Sequence, residues 1–336
     1  MFWQTAAGQT LLGFLSNLLF IVVLTTFGVG YLRIVLTRRS RPLRRLLFGG
    51  RTPRAVVILV SSIYVVPGGT LGVRSRSTGF YGPVMNQSEY VSALRLAEAI
   101  QTRPAARLLR ALLNQLGLVD TGYDPLDCSI AYSPQYVESM DGGPVSAREY
   151  TVPDLSGNGE VAERIRRALA TPGTYVLVGG PFYNAAVHYA LTHLGERTRF
   201  RFVARTEKGT EVRGISVLGY RQDGTEQTFE QHLGTAEDIP GPDYDYFVLQ
   251  KVSGFGPAGA TVVLCCGLSS LATALAVGLL ATHWEDLARE FGADDFALLY
   301  QFDNGRDLAV PSRQDVDVAL AGVQRVWPRP PDTGLG

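Results

Sequence analysis

The sequence predicts a single N-terminal transmembrane helix followed by an α/β domain, mostly parallel sheet with an antiparallel hairpin extension. Three observations carry that prediction. The chain opens on a long uncharged apolar run, Leu11 to Leu36. Three later stretches repeat one grammar of apolar strand, small-residue turn and helix. Between the last two of these, RFRFVARTEKGTEVRGISVLGYRQDGTEQTFEQ alternates and turns at Lys208-Gly209 and Asp223-Gly224, as antiparallel hairpins do.

The opening run, LLGFLSNLLFIVVLTTFGVGYLRIVL, carries no charge before Arg33. It exceeds the roughly 20 apolar residues that a helix needs to cross a hydrocarbon core. A cleaved signal peptide would carry its positive charge ahead of a shorter apolar stretch, whereas here the arginines follow it. The boundaries read as a short extracytoplasmic N-terminus over 1–10, the helix over 11–36, and a basic juxtamembrane segment over 37–54. The first 54 residues hold eight arginines and no acid. The positive-inside rule puts that flank, and the domain after it, in the cytoplasm of a single-pass cell-membrane protein. Membrane lipid is then an expected partner, since arginines at the headgroup level attract anionic lipid. Asn17 within the span has a neighbouring helix or mere tolerance as its two readings.

From residue 55 to 325 the chain reads as one cytosolic Rossmann-like domain. AVVILVSS leads through a long loop to SEYVSALRLAEAIQ; TYVLVGG leads to AAVHYALTHLG; TVVLCCG leads to LSSLATALAVGLLA. Buried strands alternating with helices build a parallel sheet covered on both faces. Arg107–Gly117 and Val161–Ala170 read as further helices, and Cys128–Ser133, Asp245–Val252 and Asp295–Phe302 as strands. The uncharged run Ala258–Thr282 is long enough to pass for a second span, but Gly267 and the serines after it divide it into a strand and a helix. Residues 326–336, VWPRPPDTGLG, read as a flexible tail.

Beyond residue 54 the chain carries 31 acids against 23 bases, a net charge of −8. Such a body lacks the basic surface that phosphate-neutralising nucleic-acid binders need, so no nucleic acid is expected as partner. Cys128, Cys265 and Cys266 have no metal-ligand spacing, and His188, His193, His232 and His283 have no partners at triad or metal spacing. Neither a metal nor a cofactor is expected.

The candidate site follows from the strand-turn-helix units. In an open parallel sheet, ligands bind outside the carboxyl ends of the strands, beside helix N-termini. Gly179 and Gly180 let backbone approach a ligand there, and Asn184 caps the next helix or meets the ligand itself. Gly267, Ser269, Ser270 and Thr273 form the matching turn, with hydroxyls suited to phosphate or ribose oxygens or simply to capping. The long loop from Ser61 to Ser88 adds Arg74 and Arg76 for an anion and Tyr81 for a ring. Glu89, in the first turn of the following helix, is the named candidate for acid-base catalysis, an ordinary first-turn carboxylate suited to the helix dipole being its plainer reading. Glu98 lies on the same helix.

A spanning helix before a Rossmann-like domain with a GGP-x-x-N turn resembles, in layout, the bacterial membrane-tethered Rossmann-like nucleotide sensor-effectors of antiviral defence. That resemblance implies a ligand sensor, with a nucleotide-like small molecule and a homo-oligomer as expected partners. Two other functions fit the same residues: an enzyme cleaving or transferring at a nucleotide glycosidic bond with Glu89 or another mouth carboxylate as its acid, base or nucleophile, and a structural membrane scaffold without a ligand.

Overall fold

The structure is a computed structural model. It describes residues 13–23, 26–28, 31, 42–43, 45–48, 55–61, 63–65, 82–84, 87–100, 128–133, 160–181, 184–206, 212–220, 225–230, 244–303 and 313–327.

Among the described residues, seven strands make the central sheet: β1 (Val56–Val60), β4 (Cys128–Tyr132), β5 (Thr174–Val178), β9 (Tyr244–Phe255), β10 (Ala260–Gly267), β11 (Phe296–Asp303) and β12 (Gln324–Trp327). Their order is β12-β11-β9-β10-β5-β1-β4. β4, β1, β5 and β10 run parallel, while β9, β11 and β12 join antiparallel. The sheet is therefore mixed rather than mostly parallel. The reason is local: β9 and β10 are joined by the tight turn around Gly256 and Gly259, both at positive φ, so β9 must run back along β10. The expected hairpins form a sheet of their own, β6 (Phe200–Thr206), β7 (Val212–Tyr220) and β8 (Glu226–Glu230), instead of extending the main one. A short antiparallel pair, β2 (Ile63–Val65) and β3 (Gly82–Val84), lies in the chain between β1 and its helix.

Helices cover both faces. On one lie α1 (Gln87–Ile100), α4 (Ser270–Phe291) and α5 (Arg313–Ala321); on the other lie α2 (Glu160–Ala168), α3 (Ala185–Leu194) and the small sheet. Strand alternation sends each side chain to its layer. Val56, Ile58 and Val60 of β1 enter the first core with Val176 and Val178 of β5, while Leu59, Tyr175 and Leu177 enter the second. The apolar residues of α1 recur at Ala93, Leu96, Ala97 and Ile100, one stripe of a helix of 3.6 residues per turn, and that stripe seats on α4 and β1. The run Ala258–Thr282 does divide into a strand and a helix, β10 and α4. Val326 and Trp327, expected in the tail, belong to β12. The expected helix over Arg107–Gly117 lies outside the described residues.

The N-terminal transmembrane helix over 11–36 is not supported. Among the described residues no helix is long and apolar enough to cross a membrane. Residues 13–23, 26–28 and 31 are helical. Phe14, Leu19, Phe20, Phe27 and Tyr31 are exposed.

The basic segment supplies part of the core. Leu43, Leu46, Leu47 and Phe48 are buried against the α1–α4 face. Leu47 O accepts a hydrogen bond of 2.7 Å from Thr174 Oγ1 at the start of β5. The domain thus begins before residue 55, its apolar residues packing while its arginines alternate with them in sequence. Leu47 has no exposed surface. Leu47→Ala is therefore expected to cost about 2–5 kcal/mol, the range for emptying a buried leucine site, read as a shift in the denaturant midpoint; a shift below about 0.5 kcal/mol would place this segment outside the core.

Candidate functional site

The parallel register decides which residues meet at the carboxyl edge. Val60 pairs with Tyr132 on one side and Val178 on the other, and Val178 pairs with Cys265. Ser61, Ser133, Gly179 and Cys266 therefore share the next rung. The ladder continues there through Ser133 N to Val60 O at 2.9 Å and Gly179 N to Cys265 O at 3.1 Å. This rung is also where the winding reverses. From β1 the chain passes through α1 to β4 on one side; it returns through α2 to β5 on the other, then moves outward through α3 to β9 and β10. The position between the ends of β1 and β5 is a topological switch point, the place where open α/β sheets take ligands.

Gly179 has a φ of 120°, a conformation that side-chain-bearing residues rarely adopt. A β-carbon there would also sit 3.1 Å from Ser61 Cβ and 3.4 Å from Asn184 Cβ. Asn184 is fully buried. Its Nδ2 donates to Val178 O at 2.7 Å and Leu59 O at 3.3 Å, and its Oδ1 accepts from Ala186 N at 3.0 Å and Val187 N at 3.3 Å. Both amide protons and the carbonyl are thus engaged, and Asn184 ties β1, β5 and α3 together rather than offering a group to a ligand. Ser133 Oγ adds a second acceptor for Ala186 N at 3.2 Å.

The neighbouring turn is similarly committed. Ser269 caps α4 by accepting from Ala272 N at 3.1 Å and donates to Asp245 Oδ2 at 2.5 Å. Thr273 Oγ1 donates to Ser269 O and accepts from Gly267 N. A β-carbon on Gly267 would collide with the Thr273 and Ala272 backbone, so the turn from β10 into α4 closes only around glycine. Gly180 differs from all of these. Its conformation is ordinary, and a β-carbon there would meet only Gly267 O, at 3.5 Å. The two glycine turns are therefore in contact, with Gly180 as the part no internal bond or clash requires to be bare. Ser270 is half-buried at the start of α4. Arg74, Arg76 and Tyr81 lie outside the described residues.

Glu89 belongs to the same place. It is buried in the first turn of α1 and accepts a hydrogen bond from Ser61 Oγ. Burial raises its carboxyl from 4.5 to about 7, with the Ser61 bond acting in the opposite direction. The thiols of Cys265 and Cys266 are pushed up by burial as well, which leaves them neutral core groups. Glu98 is exposed on the outer side of α1. Sequence reasoning missed Ser61, Ser133 and Asp245, and also Tyr132, half exposed one residue before Ser133. The available signal was positional: Ser61 and Ser133 directly follow apolar strands, as Gly179 does.

No family model, curated protein or solved structure matches the chain. The case for the site rests on its geometry. The likeness in layout to membrane-tethered sensor-effectors loses the spanning helix on which half of it stood.

The titration of Glu89 has a definite consequence for stability. The unfolded carboxyl ionises near 4.5 and the folded one near 7, so folding retains a proton between those values. The stability it contributes is whole below about pH 4.5 and is lost as pH rises through about 7. The shift corresponds to about 3 kcal/mol. Glu89→Gln is expected to flatten the decline measured in denaturant titrations at about pH 5 and about pH 8. An unchanged slope would show that Glu89 titrates normally.

Proposed function

We propose that the α/β domain binds a nucleotide-like or other anionic small molecule in the crevice over the carboxyl ends of β1, β5 and β10. The observation that carries this reading is the contact between the Gly179–Gly180 and Gly267 turns at the point where the winding reverses. Bare backbone on two adjacent turns, flanked by the N-termini of α3 and α4, suits a phosphate or ribose. Tyr132 on the neighbouring strand end offers a ring for a base to stack on. The biological role that fits is ligand sensing in bacterial defence signalling, and the apolar side chains exposed between Phe14 and Tyr31 are the surface through which such a domain would meet lipid or another copy of itself.

Gly180→Val separates binding from folding. The residue before a proline is restricted to extended backbone, which valine favours, and its β-carbon meets only ordinary contact. Equilibrium binding to a panel of nucleotides is expected to find a ligand whose affinity falls about tenfold or more in Gly180→Val, with thermal unfolding little changed. Flat isotherms across the panel would remove the reading and leave a scaffold without a ligand.

The burial of Glu89 favours a second reading, an enzyme acting at a nucleotide glycosidic bond. A carboxyl that holds its proton near neutrality can pass it to a departing base while water adds to the sugar carbon. Product analysis with NAD and nucleosides is expected to show turnover that drops about 100-fold or more in Glu89→Gln. Equal turnover in that variant would remove Glu89 from the chemistry.

A further inference from the structure

Glu89 stands one hydrogen bond behind the glycine turn. Ser61 Oγ donates to its carboxyl, and Ser61 itself lies against the α-carbon of Gly179, where an added β-carbon would come within 3.1 Å of Ser61 Cβ. An anion seated on that turn is thus separated from the Glu89 carboxyl by a single side chain, in a place from which water is largely excluded. Two negative charges in such surroundings repel far more strongly than in bulk water. The groups that face Glu89 do little to relieve this. Ser61 from the end of β1 is neutral, Cys266 from β10 is a thiol kept neutral by its own burial, and among the described residues no charged side chain alters the titration of Glu89.

Building on the proposed ligand reading, we infer that the crevice takes up an anionic ligand together with a proton, which comes from solvent and resides on the carboxyl of Glu89. The acid form of Glu89 is the binding form. Ionisation of that group weakens the site, and a bound anion in turn holds the proton in place, because linkage between the two is reciprocal. With the empty site titrating at about 7, the coupling is small well below that value and approaches one proton per ligand above it.

The test is calorimetric titration of the full chain with AMP, in pairs of buffers of contrasting ionisation heat. At about pH 8 the buffer dependence should report uptake of about one proton per AMP, falling close to zero at about pH 5.5; the affinity should weaken about tenfold per pH unit above 7. Glu89→Gln, neutral at every pH, should lose both the uptake and that pH dependence, which also separates Glu89 from the proton exchange of the AMP phosphate. Ser61→Ala removes the bond that favours the ionised form, so its uptake should shift to higher pH. AMP binding without proton uptake at about pH 8, or uptake that persists in Glu89→Gln, overturns the inference while leaving the ligand reading intact. Failure of both AMP and inorganic phosphate to bind overturns the two together.

Discussion

One side chain holds the carboxyl edge of this fold in shape. Asn184 donates to a backbone carbonyl of β1 and another of β5, and with its remaining oxygen caps α3. All of that is possible only because Gly179 has no β-carbon to occupy the space between Ser61 and Asn184. The strand ends are drawn together, the helix starts where the strands stop, and a buried amide is fully satisfied. A buried amide left with an open valence would cost about 1–3 kcal/mol per lost partner, so the arrangement is nearly all-or-none.

Closing the edge in this way has a price in charge. Glu89 and Asp245 are both buried there, yet they meet their surroundings differently. Asp245 accepts from Ser269 Oγ and from Tyr246 N. Glu89 accepts from Ser61, and its carboxyl is raised to about 7. One hydrogen bond to an ionised group contributes about 1.5–3 kcal/mol, while removing a carboxylate from water costs several. Desolvation wins at Glu89, which is why its proton stays on near neutrality.

Much of the parallel half was legible in the sequence, because uninterrupted apolar strands followed by small residues and a helical stripe admit few other folds. The antiparallel half was less so. DYFVLQKV and DFALLYQF read as strands but carry no mark of direction, which the glycines at 256 and 259 impose only once β9 and β10 are known to be neighbours. At the candidate site, the two turns lie between strand and helix as read from the sequence, and the side chains on them are engaged within the fold. Asn184, Ser269 and Thr273 have the chemistry of ligand-binding groups, but capping consumes it. Whether a hydroxyl at a helix start faces inward is settled by tertiary partners such as Asp245, 24 residues away in the chain. The opening segment failed for a related reason. Its arginines dominated the reading, while Leu43, Leu46, Leu47 and Phe48 were the residues that packed.

That packing joins the two ends of the domain. α4 begins at the glycine turn and continues, across a kink at His283, to Gly292, where an added β-carbon would lie 3.5 Å from Arg45 Nε. α1 carries Glu89 at one end and rests its apolar stripe on α4. The buried leucines of the N-terminal segment pack into the same core. A densely packed core of this kind transmits small shifts instead of absorbing them. The position of Glu89 and the seating of Leu43, Leu46, Leu47 and Phe48 are thus set by one body of contacts, and a change that reseats α1 acts on both.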